Sequence, residues 1–209
     1  METFITFIIS LIASLVAVLV VLWIERIRMP KLVIHTGDSV NDDITYKGHR
    51  LHSGERWKFF RIAVKNKKIP KPFSWIPRQT AQNCRGKLEF YKKGESSLIF
   101  SFIGRWSSTP EIPHIPHEAI VKLQQPDPVT ISVEEKEIMD IFVKAEVDDV
   151  AYGWNNESYI YDWRNKKFTL ENGEYVVKIT ISTQNGISFK KNIEIAIRKT
   201  IEDTIIKSI

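Results

Sequence analysis

The sequence predicts a mainly β protein: an antiparallel β-sandwich preceded by one N-terminal transmembrane helix. Three observations predict it. Residues 4–24 form an uninterrupted uncharged run. From Met29 onward apolar side chains recur mostly with a period of two rather than 3.6. About eight such stretches are separated by Gly, Asn or Pro turns, with no βαβ pattern among them.

The run at 4–24 carries only Thr6, Ser10 and Ser14 as polar interruptions. At 1.5 Å per residue it extends about 30 Å, the thickness of a bilayer's hydrocarbon core. Its hydroxyls can bond carbonyls of their own helix, so they do not oppose insertion. A cleaved signal peptide fits less well: the run is long for an apolar signal core, no Lys or Arg precedes it, and no small-x-small site follows Trp23-Ile24-Glu25-Arg26. A buried core helix would show a polar face, and this one shows none. Arg26, Arg28 and Lys31 follow the run, so the positive-inside rule places the C-terminal domain in the cytoplasm. Trp23 sits where an interfacial aromatic belongs. The resulting organisation is an anchor with its basic flank at 1–29, a sandwich at 30–199, and a tail at 200–209.

The strands follow in order. Residues 31–35 form the first, ahead of a polar stretch that runs to Gly54. Residues 56–66 form the clearest, with Phe60, Ile62 and Val64 on one face. A loop at 67–78 follows, denied a ladder by Pro70, Pro72 and Pro77 and unusually apolar through Phe73, Trp75 and Ile76. Residues 83–91 and 98–103 make a hairpin around Lys92-Lys93-Gly94-Glu95. A second irregular stretch spans 104–117 with Pro110, Pro113 and Pro116. Strands resume at 129–133 and 137–147; Tyr159, Tyr161 and Trp163 alternate as in another, after a turn at 152–156. Residues 174–183 and 187–197 flank Asn185-Gly186, the strongest hairpin signal in the chain. In the tail, Ile201, Ile205 and Ile209 are spaced by four, as in a short helix.

Residues 60–66 and 81–91 resemble a strand pair of prokaryotic immunoglobulin-like modules of the CARDB-like and fibronectin-like group. Residues 170–179 (LENGEYVVKI) are similar to that group's L-x-x-G-x-Y-x-V-x-I passage into the penultimate strand. The resemblance implies an immunoglobulin-like sandwich used for adhesion, spacing or partner binding, and no catalytic residues.

No motif names a reaction, and no catalytic, cofactor-binding or metal residue is expected. His114-Ile115-Pro116-His117-Glu118, with Glu111 nearby, only superficially resembles a zinc site, because Pro113 and Pro116 forbid the helix that would align its imidazoles. His49 and His52 fare no better. Cys84, the single cysteine, falls in inward phase as a small buried hydrophobe. Asn156-Glu157-Ser158 is a glycosylation sequon by pattern, relevant only in a secretory lumen.

Charge is more informative. Between Arg56 and Lys93 twelve Lys or Arg face one acid, Glu89, whereas residues 134–149 hold seven acids against Lys136 and Lys144. Neutralisation across strands is one reading; a basic face toward an anionic partner, the inner leaflet first, is the other. Nucleic acid is disfavoured, because the interleaved aromatics fall mostly in core phase. The exposed-loop candidates for partner or membrane contact are Phe73, Trp75, Arg105 and Trp106, with Lys67, Lys68 and Lys71; covering a sheet edge is their structural alternative. Together these features predict a single-pass, non-catalytic module that binds a protein partner at the membrane. An accessory subunit of a membrane enzyme or transporter is the alternative, or an extracytoplasmic adhesion module if the topology is reversed.

Overall fold

A computed structural model describes residues 2–37, 40–45, 54–109 and 126–208. The histidine-bearing stretches around His49, His52, His114 and His117, with Glu111, Glu118 and Pro110, Pro113 and Pro116, lie outside the described residues.

The apolar run forms one helix, α1 (Glu2–Arg28), with Arg26 and Arg28 in its last turn. Residues Thr3–Arg28 are long and apolar enough to cross a membrane, and none of that span is buried against the rest of the chain. The Ser14 hydroxyl donates to the Ser10 carbonyl at 2.9 Å, as its helical spacing requires. A helix apolar on every side, with its apolar length packed against no other element, is unstable in water and suits a lipid surround.

Twelve strands follow among the described residues: β1 (Leu32–Thr36), β2 (Asp42–Thr45), β3 (Arg56–Asn66), β4 (Ala81–Lys92), β5 (Leu98–Ile103), β6 (Val129–Ile131), β7 (Lys136–Ala145), β8 (Ala151–Gly153), β9 (Thr169–Leu170), β10 (Gly173–Ser182), β11 (Ser188–Ile197) and β12 (Ile205–Ser208). They form two antiparallel sheets. The first runs β1-β3-β7-β8-β9, with β2 on the same edge of β3 as β1. The second runs β12-β11-β10-β4-β5, with β6 beside β4. One core fills the space between them. Phe60, Ile62, Val64, Met139, Ile141 and Phe142 come from the first sheet; Leu88, Phe90, Val177, Ile179, Ile193 and Ile195 come from the second. The period-two pattern is what places these residues on one face of each strand.

Three local features depart from a plain alternation. An extra residue in β7 breaks the register between Phe60↔Phe142 and Arg61↔Asp140, which lets both Ile141 and Phe142 enter the core. The outer face of the first sheet is also covered: Trp57, Phe59, Val143 and Trp154 pack there with Tyr159 and Trp163. The expected strand through Tyr159, Tyr161 and Trp163 is instead a short helix, α2 (Asn156–Ile160), followed by a turn. Asn155 starts that helix by accepting a hydrogen bond from the Ser158 N–H at 2.8 Å, an N-cap that outweighs three alternating aromatics. The tail is likewise not helical. Ile201 is a buried turn residue, and β12 pairs with β11 in the register Ile195↔Ile206.

The described start of the stretch after β5, residues 104–109, bonds to both sheets. The Gly104 N–H still bonds Gly86 in the second sheet, but the Asp140 and Ser107 N–H groups bond the carbonyls of Arg105 and Ile138. The chain thus changes sheets at Gly104. A Cβ at Gly104 would sit 2.7 Å from the Met139 sulfur, so glycine suits this crossing.

Candidate functional site at the exit of the helix

The end of α1 is built into the β domain. The Gln79 N–H donates to the Arg28 carbonyl at 2.6 Å, and an Arg78 guanidinium N–H donates to the Met29 carbonyl. The Gln79 side-chain amide reaches Glu25, which also pairs with Arg28 at 2.8 Å. The loop after β3 therefore meets the last carbonyl of the helix and the one that follows it. Trp23 packs edge-on against Phe73, ring centroids 5.3 Å apart.

The loop itself is held in shape. Its 3-10 turn, Lys71–Phe73, is closed by the Phe73 N–H to the Pro70 carbonyl and the Ser74 N–H to the Lys71 carbonyl. Ile69 and Ile76 are buried and pin its two sides. Between these pins, Phe73 is 37% exposed and Trp75 70% exposed. At the loop's base Asn66 is fully buried. Its side chain accepts from the Lys31 N–H and donates to the Gln79 and Ile131 carbonyls, at 3.0 to 3.2 Å. One asparagine thus joins the exit of α1, the loop and β6.

The predicted contact residues separate into two groups. Phe73, Trp75, Lys67, Lys68 and Lys71 lie together on this loop or its first turn, and the three lysines are exposed. Arg105 and Trp106 do not join them. Trp106 is 1% exposed, bridging Met139 in the core, and Arg105 is 5% exposed. The Arg105 guanidinium donates to the Asn156 side chain at 2.8 Å and lies over the Tyr159 ring at 4.3 Å. The expectation that both residues sit in an exposed loop is corrected by the sheet-to-sheet crossing at Gly104, which turns them inward. Asn156 is buried with its side chain engaged, so its sequon offers no accessible amide in the folded chain.

Charge is neutralised in one part of the domain and left unpaired in another. Across β3 and β7, Arg61 pairs with Asp140 at 2.6 Å and with Asp42 at 2.9 Å. Arg56 pairs with Asp43 and Glu202, both at 2.6 Å, and Lys93 with Glu174 and Glu194, both at 3.1 Å. Here the basic segment is neutralised. Burial raises the Asp140 pKa against the opposing pull of Arg61 and Arg105. At the helix exit the balance differs. Lys68 meets Glu134 at 3.2 Å, but Arg26, Lys31, Lys67 and Lys71 form no ion pair among the described residues. The Nε donors of Arg28 and Arg78 also lack an acceptor among them. The Lys67 N–H donates to the Lys31 carbonyl at 3.0 Å, which brings two of these lysines to one place.

Nothing in the described residues assembles catalytic chemistry. Cys84 is buried, its thiol donating to the Ala81 carbonyl at 3.4 Å, and burial pushes its pKa up to about 11. No three His, Cys, Asp or Glu side chains converge as a metal site among the described residues. What fold and site define is a mainly β domain continuous with an apolar helix, carrying a basic and aromatic loop at their junction. Comparison with protein-family models, with curated proteins and with solved structures finds no match to this chain.

Proposed function

We propose that this chain is a single-pass membrane protein whose domain is an immunoglobulin-like sandwich. It acts without catalysis, as an interaction module held against the membrane by its own anchor. The observation that carries this reading is the lock between helix and domain. Gln79 bonds the last carbonyl of α1, Arg78 bonds the carbonyl of Met29 just after it, and Phe73 packs on Trp23. A signal sequence has no use for such a lock, because cleavage would discard half of it. The immunoglobulin-like assignment is supported by Tyr175, whose hydroxyl donates to the Glu171 carbonyl at 2.9 Å where the chain passes from β9 in one sheet to β10 in the other. That is the tyrosine-corner arrangement of such sandwiches, formed by the residues of the L-x-x-G-x-Y stretch.

The domain faces the cytoplasm in this reading, on the strength of Arg26, Arg28 and Lys31 after the span. It engages its partner through the loop at the helix exit. The test is alkaline extraction of membranes carrying the full chain, followed by protease treatment of sealed vesicles of known sidedness. The chain is expected to stay with the lipid, keep residues 1–28, and be digested only when the cytoplasmic face is outward. A mature chain lacking those residues overturns the anchor, and digestion from the opposite face overturns the orientation.

A further inference from the structure

We infer that the loop carrying Phe73 and Trp75 is a second membrane contact, seated in the headgroup layer of an anionic leaflet beside α1. The inference rests on the anchor reading and names what the exposed loop binds.

Position is the first argument. Phe73 touches Trp23, near the end of the apolar span, and Gln79 and Arg78 fix the loop to the carbonyls of Arg28 and Met29. If α1 crosses a bilayer, Trp23 lies at its boundary, and the loop lies at the same depth. Chemistry is the second. An indole that is 70% exposed and a phenyl that is 37% exposed are costly in water and favourable at an interface, where aromatic rings collect. Pre-organisation is the third: the 3-10 turn and the buried pins Ile69 and Ile76 already present these rings, so little ordering remains to be done on contact.

Charge selects the lipid. Lys67 and Lys71 precede the aromatic pair without an ion pair among the described residues, whereas Arg56, Arg61, Lys87 and Lys93 are each paired with carboxylates of the domain. Cations left unpaired next to a span complement phosphate and carboxylate headgroups, each strengthening residence at an anionic surface by about fivefold. Because the loop is fixed to the end of α1, a second contact at the surface would hold helix and domain together at one tilt, and so decide which surfaces of the domain face the cytosol.

The experiment uses the full chain reconstituted into vesicles of phosphatidylcholine, with or without phosphatidylserine, in which part of the lipid is brominated at shallow acyl positions. Quenching of tryptophan emission is compared among wild type, Trp23→Phe and Trp75→Phe; each difference isolates one indole. Both Trp23 and Trp75 are expected to be quenched, and Trp75 more strongly when phosphatidylserine is present. Lys67→Gln with Lys71→Gln should remove that extra quenching while leaving Trp23 unchanged. Quenching of Trp23 without Trp75 overturns the inference and leaves the anchor standing; this is also the result expected if the loop serves a protein partner. Quenching of neither overturns the anchor and the inference together. Equal quenching of Trp75 in both lipid mixtures overturns the choice of an anionic leaflet.

Discussion

Asn66 shows how one residue can couple the parts of this molecule. It ends the clearest strand in the sequence and reads there as a polar full stop. In the structure its amide makes three hydrogen bonds to three separate segments, and none of it is exposed. Asn66→Ala would leave the Lys31 N–H and two carbonyls without their partner in a dry site. The expected loss is about 3 kcal/mol, since each stranded buried group costs on the order of 1 kcal/mol or more. Urea unfolding of the detergent-solubilised full chain measures it, as a lowered midpoint with unchanged slope. A drop under about 0.5 kcal/mol would mean that water replaces the side chain and that the junction is looser than its geometry implies. Trp106 is the complementary case. Its sequence surroundings, with three prolines close behind, read as an exposed loop, and nothing local reveals that Gly104 lets the chain step between sheets at that point.

Among the elements, the long strands β4 and β10 of the second sheet were legible because their burial alternates. The phases of Tyr175, Val177, Ile179 and Ile181 in β10, and of Cys84 in β4, are those the sequence predicts. Short or edge elements were not, because two or three side chains fit more than one period. The four-residue spacing of Ile201, Ile205 and Ile209 suggested a helix where the chain makes a turn and a strand, and Tyr159 and Trp163 suggested a strand where Asn155 caps a helix. Those edge elements are tied on by ion pairs, which gives them a pH dependence of their own. The Arg56 guanidinium holds the Asp43 carboxyl in β2 below its ordinary pKa. Glu202, just before β12, is lowered by its own backbone N–H and by Arg56. Folded values depressed below unfolded ones stabilise above about pH 4 and lose that contribution as pH falls further. Asp140 has the opposite sign: raised by burial, it favours the folded state at low pH and opposes it as pH rises through its folded value. Acidification to pH 3 should therefore loosen β2 and β12 first, while β3 and β10 keep their protection. Hydrogen exchange by mass spectrometry, corrected for intrinsic rates, reads this segment by segment. Arg56→Met should show the same loosening already at pH 6, and simultaneous loss across all strands would refute the edge-first order.

At the scale of the whole molecule, the sequence separates the apolar helix from the β domain cleanly, at the change from an all-apolar run to alternation. It does not reveal that the two are joined by more than a peptide bond. The joint depends on residues some fifty positions apart, Glu25 with Gln79 and Trp23 with Phe73, which no local pattern connects. Removing residues 1–29 tests how far the domain depends on that joint. Both sheets and the core between them are made without α1, so the remaining chain should fold, with the strand signature in circular dichroism of the parent. It should lose the hydrogen bonds from the Gln79 N–H and the Arg78 guanidinium, worth about 1 kcal/mol each, and an edge-on aromatic pair of similar value. Because these interactions all fall on the loop, the loss should appear there as faster exchange over residues 70–79, with little shift in the unfolding of the sheets. Exchange in that loop as slow as in the full chain would mean that the helix contributes nothing to its shape. Collapse of the sheets would mean that anchor and sandwich form one cooperative unit. The expected middle result, a stable sandwich with a loosened loop, would assign the helix a part in shaping the domain: holding Phe73 and Trp75 in place.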